Sequence, residues 1–217
     1  MAGADRRIPD SVAFVHLSGA LTLGALEPLR ATHAIGSFHP LQSFPEPRPP
    51  ASLRGIVVAV DATSPLLLRR LNALARALGA RPKQVGDAER VMYHAAAVFA
   101  SNYVDVLLGE GLQLLRAAGW SEKEARTGLL ALTEGTLASV RKQGVVAALT
   151  GPVRRGDVNT VERHLAALSG PVADLYRMLG LIALEIAKEA GIEPAAAGRM
   201  HRALTEKTAA TRRRRRI

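Results

Sequence analysis

The chain has 217 residues, 48% hydrophobic and 22% charged, with a net charge of +10. Cysteine is absent, which excludes disulfides, thiol catalysis and thiolate metal sites. Aromatics are only 4%, so the core of one large domain or two small ones has to be packed from Leu, Ala and Val.

Half of the excess charge is the run Arg212–Arg216. A terminal run without interleaved aromatics reads as a solvated basic tail, so no specific nucleic-acid partner is expected. No run approaches the roughly 18 apolar residues of a membrane span. The opening MAGADRRIPD has no apolar core behind it and does not read as a signal peptide. The expectation is a cytoplasmic protein without a membrane partner.

In chain order, VAFVHL (12–17) reads as a short buried strand, ended by Ser18-Gly19. ALTLGALEPLR has a helix-like pattern ended or kinked by Pro28. Residues 34–38 read as another strand, closed by His39-Pro40, and LQSFPEPRPP as a proline-rich loop. GIVVAV (55–60) is the clearest strand. Ser64 can cap the next helix with Pro65 at its first position, Gly79 ends it, and 81–85 suggest one more strand. This alternation predicts a mostly parallel sheet with crossover helices.

After Gly86 the pattern is helical throughout. A long helix opens near Asp87 and meets no breaker until Gly119. His94, Val98, Ser101 and Asp105 share one face of it, with Asn102 at the edge, a thin polar seam among alanines. Ser121 and Glu124 form a capping box for a helix to about Gln143. Asp157 can cap VNTVERHLAAL, Gly170-Pro171 opens a strongly apolar helix, and Pro194 a more polar one. The expected division is 1–86 as the C-terminal part of a Rossmann-like domain, 87–208 as a helical domain and 209–217 as a basic tail.

Four stretches carry candidate chemistry. HLSGA (16–20) and GSFHPLQSF (36–44) follow predicted strands, and ligands of open parallel sheets bind at the carboxyl ends of strands. Ser18, His39 and Gln42 are thereby placed, although Ser-Gly and His-Pro are also ordinary turn dipeptides. The third is the helix seam with His94, Ser101 and Asn102. The fourth is GPVRRGDVNTVERH (151–164), where Arg155 beside a helix start can meet an anion; Arg154 reads as a solvated arginine. The six histidines show no ligand-like pairing, so no metal site is expected. No G-x-G-x-x-G follows a strand, and no Walker-type loop occurs.

In this order and at these separations, HLSGAL, GSFHPLQSF, YHAAAVFASNY and LTGPVRRGDVNTVERHL resemble the Rossmann-like oxidoreductases that carry the helical domain of unknown function 2520. The resemblance covers nearly all of residues 11–185. Its architecture is similar to pyrroline-5-carboxylate reductase and to the 3-hydroxyacid and 6-phosphogluconate dehydrogenases. It implies a partial Rossmann-like sheet followed by an all-α domain of the 6-phosphogluconate-dehydrogenase C-terminal type, which dimerises and closes the active site.

The implied reaction is hydride transfer to or from a small imine or an oxo or hydroxy acid, with NADP or NAD held only where the missing N-terminal half is supplied. The resemblance puts His16, Ser18, His39 and Gln42 near the cofactor, His94, Ser101 and Asn102 at the reacting centre, and Gly151, Pro152, Arg155 and Asp157 at the substrate. In the hydroxyacid dehydrogenases a lysine precedes the asparagine by four residues; that position is Val98 here, so His94 is the candidate general acid. The phosphate-binding strand–loop–helix of such a domain is not in the sequence, so an N-terminally truncated member is expected. The competing expectation is a non-catalytic helical dimerisation module that binds no cofactor.

Overall fold

A computed structural model describes residues 8–206. The chain divides into two compact units at Leu107/Leu108. The Arg212–Arg216 run lies outside the described residues.

Unit 1 is built on four strands in the order β1 (Phe14–His16), β2 (Ile35–Pro40), β3 (Val57–Ala62), β4 (Arg81–Gln84). β1/β2 and β3/β4 are parallel, as the alternation predicts. β2/β3 is antiparallel, which the sequence reading did not foresee. The physical reason is the proline-rich link between them. It holds only a short 3₁₀ turn, Pro50–Leu53, and no crossover helix, so the chain turns back beside β2.

The two faces of this sheet differ in chemistry. Helix α1 (Pro65–Ala77) starts as expected: the Ser64 hydroxyl accepts from the Leu67 N–H, and Pro65 occupies the first turn. Its Leu67, Leu71 and Ala75, spaced four apart, pack on Phe38, Val58 and Val60. Gly79, at φ +76°, closes the helix in a conformation that glycine adopts without a Cβ penalty. The alternating strand residues point the other way. His16 pairs with Ser37, and Ser37 with Asp61, so these three share the opposite face with His39. α2 (Asp87–Ala100) brings its own polar residues to that face.

The long helix expected from Asp87 to Gly119 is two helices. α2 ends at Ala100, Ser101 adopts φ −125° and ψ −79°, and α3 (Asn102–Ala117) begins anew. No glycine or proline marks this break. Ser101 therefore does not continue the helical face of His94 and Val98, and it stands with Asn102 at a bend. Taken through the bend, Asp87–Ala117 is long and apolar enough to cross a membrane by length and composition, contrary to the reading that no stretch comes close. Few of its residues are charged, and its alanines lengthen the apolar window. α2 hydrogen-bonds to the sheet through Arg90 and Tyr93.

Unit 2 is helical: α4 (Glu122–Ala148), α5 (Gly151–Arg155), α6 (Val158–Ala167), α7 (Gly170–Glu189) and α8 (Pro194–Thr205). The Ser121/Glu124 capping box is present. α4 runs past Gln143 with a kink at Gly144, φ +78°. Its core, Val153, Val161, Leu165, Leu184, Ala197, Met200 and Leu204, comes from α5–α8. α4 buries only Ala125 and Ala148.

Candidate functional site

The polar face of the sheet in unit 1 gathers titratable side chains around Arg90. Arg90 is fully buried. Its Nη2 donates to Ser37 Oγ at 2.7 Å and to the Val85 carbonyl at 2.9 Å. Nε and Nη1 have no partner among the described residues. The guanidinium thus ties β2 to the β4–α2 junction through two neutral oxygens.

Two nearby carboxylates are spent on backbone. Asp61 Oδ1 accepts from the Ala62 N–H at 3.0 Å, and Asp87 Oδ1 from the Leu23 N–H at 3.0 Å. The second of these bonds holds the 3₁₀ segment Leu23–Leu29 to the start of α2.

One turn along α2 from Arg90 stands Tyr93. Its hydroxyl lies 2.7 Å from His39 Nδ1, with the rings edge to face at 5.7 Å between centroids. Burial pushes the His39 imidazole below its ordinary value; His94, Arg90 and His16 push it the same way. Burial raises the Tyr93 hydroxyl, with Arg90 opposing. His16 is lowered by burial and then by Arg90, partly offset by the Thr22 backbone and Asp87. At neutral pH the pair is therefore a neutral imidazole against a neutral phenol, a proton donor and acceptor in contact.

Gly19 explains part of HLSGA. A Cβ there would stand 2.6 Å from His39 Cε1 and 2.8 Å from Nε2. The His39 ring lies directly on the Gly19 backbone, so the first two sequence stretches form one contact. Gly19→Ala is expected to displace the ring, break the Tyr93 contact and cost about 1–3 kcal/mol as overpacking. Urea unfolding, with NMR of the His39 ring, measures both, and an unmoved His39 resonance would contradict this.

The lowered imidazoles also set a pH dependence. Unfolded His16 and His39 take up protons near the ordinary value of 6.5, while the folded groups resist. Below that pH the unfolded state binds more protons, so stability falls as pH drops from about 6.5 toward the depressed folded values and is unaffected by these groups above about 7.5. The urea midpoint is expected to drop between pH 7.5 and 5.5, and His39→Gln to reduce the drop.

An open hollow of about 450 Å³ adjoins this pair. His39, Gln42, Tyr93, Ser101 and Asn102 stand on its wall among small apolar groups, Ala96, Ala97 and Val98. Of the expected residues, the hollow collects His39, Gln42, Ser101 and Asn102. His94 is not on the wall, and its Nδ1 is buried without a partner. Both His16 ring nitrogens are likewise buried and unpartnered. The Ser18 hydroxyl accepts from the Ala20 and Leu21 N–H groups, closing its own turn. Gln42 Oε1 accepts from the Ser43 N–H.

The fourth stretch lies in unit 2. Gly151 (φ +89°) and Pro152 open α5, and Asp157 caps α6 by accepting from the Thr160 N–H and hydroxyl. Arg154, expected to be solvated, donates to the Ala190 carbonyl at 2.8 Å and fastens α5 to the end of α7. Arg155, in the last turn of α5, forms no ion pair among the described residues.

Arg90 and Tyr93 escaped the list of candidate residues. A signal existed: Arg90 precedes His94 by four and so continues the polar seam one turn toward the helix start.

A mixed, parallel-dominated α/β sheet followed by a helical unit is the architecture of Rossmann-like oxidoreductases with a helical second domain. Residues 56–182 match the family model of the domain of unknown function DUF2520, and the chain belongs to that family. Among solved structures it is similar to BF3122 from Bacteroides fragilis, named as a candidate NADP oxidoreductase. That match has 25% identity and a TM-score of 0.67, over 82% of this chain and 66% of that one. It is also similar to protein TM1727 from Thermotoga maritima, at 26% identity and TM-score 0.67, over 81% of this chain and 68% of that one. The chain thus spans about two thirds of the length of these relatives. No curated protein matches it.

Proposed function

We propose that the chain is the substrate-side portion of an NAD(P)-dependent oxidoreductase that reduces a small imine or oxo acid, or oxidises the corresponding product. The single observation behind this reading is the 2.7 Å His39–Tyr93 contact on the wall of an open hollow. A nicotinamide cofactor, when bound, supplies the hydride. The residues here suit the reacting end of such a site rather than the pyrophosphate, since no G-x-G-x-x-G lies in the 217 residues.

In the reducing direction the substrate's carbonyl or imine must gain a proton. Tyr93 Oη, raised by burial and therefore protonated at neutral pH, delivers it, and His39 Nδ1 replenishes or orients that proton. Ser101 and Asn102, at the bend between α2 and α3, offer a hydroxyl and an amide to hold the substrate. His94 is the alternative donor, one residue further along α2. Gly151, Pro152, Arg155 and Asp157 are proposed as a second set of substrate contacts, and the helical unit as the dimerising element.

The test is NADPH oxidation with imines and 2- or 3-oxo acids, run alongside fluorescence titration of the chain with NADPH. Tyr93→Phe and His39→Gln are expected to lower turnover about 100-fold. If His94→Ala does so and Tyr93→Phe does not, the donor is His94. A second reading, a helical interaction module, draws on the missing glycine loop. It gains if NADPH does not bind and no substrate is turned over even when a glycine-loop cofactor half is supplied.

A further inference from the structure

The wall of the hollow carries no Asp, Glu, Lys or Arg. Its polar groups are all neutral: the His39–Tyr93 pair, Gln42, Ser43, Ser101 and Asn102. Behind the pair stands a guanidinium with no ion-pair partner among the described residues. Arg90 is fully buried, its two hydrogen bonds go to neutral oxygens, and no carboxylate comes within 4 Å of it among the described residues. Arginine stays protonated even when buried, and its isolation from water costs several kcal/mol unless an opposite charge arrives.

The placement is direct. Ser37, which Arg90 grips, precedes His39 by two on the same sheet face. Arg90 precedes Tyr93 by three on the same helix face. The charge therefore sits beside the His39–Tyr93 pair, one step along the same faces, where the low dielectric of the interior screens it little.

We infer that this hollow takes an oxyanion, and that the uncompensated charge of Arg90 selects it over a neutral ligand of the same shape. The inference rests on the hollow being the substrate site, and it narrows the substrate to the anionic members of the proposed class. A carboxylate and a phosphate share the required chemistry. An anion next to His39 also favours protonation of that imidazole, so binding draws a proton onto His39 near neutral pH.

The chain is titrated at constant ionic strength with sodium acetate, sodium phosphate, sodium chloride and acetamide, following the His39 ring resonances by NMR, assigned with His39→Gln. Saturable shifts with acetate or phosphate are expected, the one that saturates identifying the group recognised, and acetamide at least about tenfold weaker. Arg90→Met is expected to weaken acetate or phosphate about tenfold, and Arg90→Lys to restore most of it. Chloride reproducing the shift, acetamide matching acetate, or Arg90→Met binding as wild type would each overturn the inference. Should Arg90→Met fail to fold, the acetate–acetamide comparison on the unaltered chain decides. Saturable acetate or phosphate binding without any hydride transfer when a glycine-loop cofactor half is supplied would sink the oxidoreductase reading and leave the anion site standing. Equal turnover of neutral imines and oxo acids would do the reverse.

Discussion

Arg90→Ala is expected to destabilise unit 1 by about 3 kcal/mol, and Arg90→Met by about 1 kcal/mol or less. Truncation to alanine opens a cavity beneath the sheet and strips the Ser37 hydroxyl and the Val85 carbonyl of their donor. Methionine fills most of the volume of the stem, and the same two hydrogen bonds are lost. It also removes a buried cation that has no ion-pair partner among the described residues, and the relief of that desolvation offsets the lost bonds. The ratio of the two effects is the informative quantity. Urea midpoints at pH 7.5 measure it, and a methionine variant as unstable as the alanine one would mean that the hydrogen bonds dominate. Phosphate or acetate should stabilise the wild type by about 2.7 kcal/mol at a hundred times its dissociation constant, and Arg90→Met, binding about tenfold more weakly, by about 1.4 kcal/mol at the same concentration.

Arg90 also marks where the sequence stopped being readable. The parts of unit 1 ruled by local chemistry were legible. GIVVAV holds the buried apolar residues of β3, Ser64-Pro65 opens α1, and Gly79 closes it. These depend on near neighbours: a run of β-branched residues, a hydroxyl three residues from an orphan N–H, a glycine where φ is positive.

What was not legible depends on partners far along the chain. An arginine in a helix's first turns is ordinarily solvated, whereas this one is fully buried and donates to Ser37, 53 residues away. The antiparallel step between β2 and β3 follows from a link that lacks a crossover helix, a matter of space rather than of residue type. The break at Ser101 has no breaker residue at all, since Ala100, Ser101 and Asn102 are compatible with a continuous helix.

The site was legible in part for the same reason. His39 and Gln42 follow a predicted strand, Ser101 and Asn102 belong to the polar seam of the helix, and these four meet at the hollow. Tyr93 opens the YHAAAVFASNY stretch, and nothing local in the sequence marks it as part of a site. Its role appears only when His39, 54 positions earlier, lies 2.7 Å from its hydroxyl. Ser18 was chosen for its place after a strand, and its hydroxyl is taken by its own turn.

In unit 2 the largest effect is expected at Leu184. The α7 sequence has more Leu, Ile and Ala than one solvent-facing helix needs, and two of its faces behave differently. Ala173, Gly180, Leu184 and Ala187 are buried, while Met178, Leu179 and Ile182 are exposed. Leu184 is fully buried among Val153, Val161, Leu165, Met200 and Leu204. Beside it, a Cβ on Gly180 would stand 2.5 Å from Leu204 Cδ2, so α7 and α8 are already at closest approach and cannot collapse further into a cavity. Leu184→Ala therefore keeps most of the void it creates and is expected to cost about 3–5 kcal/mol. That is a large share of the 5–15 kcal/mol typical of a whole domain. The long helix α4, with two buried alanines, offers little reserve. Ile182→Ala removes a half-exposed side chain from the same helix and is expected to cost about 1 kcal/mol or less. Equal losses for the two variants in urea unfolding would mean that the exposed face of α7 is also covered in solution. Light scattering on the same samples would then identify a second copy of the chain as the cover.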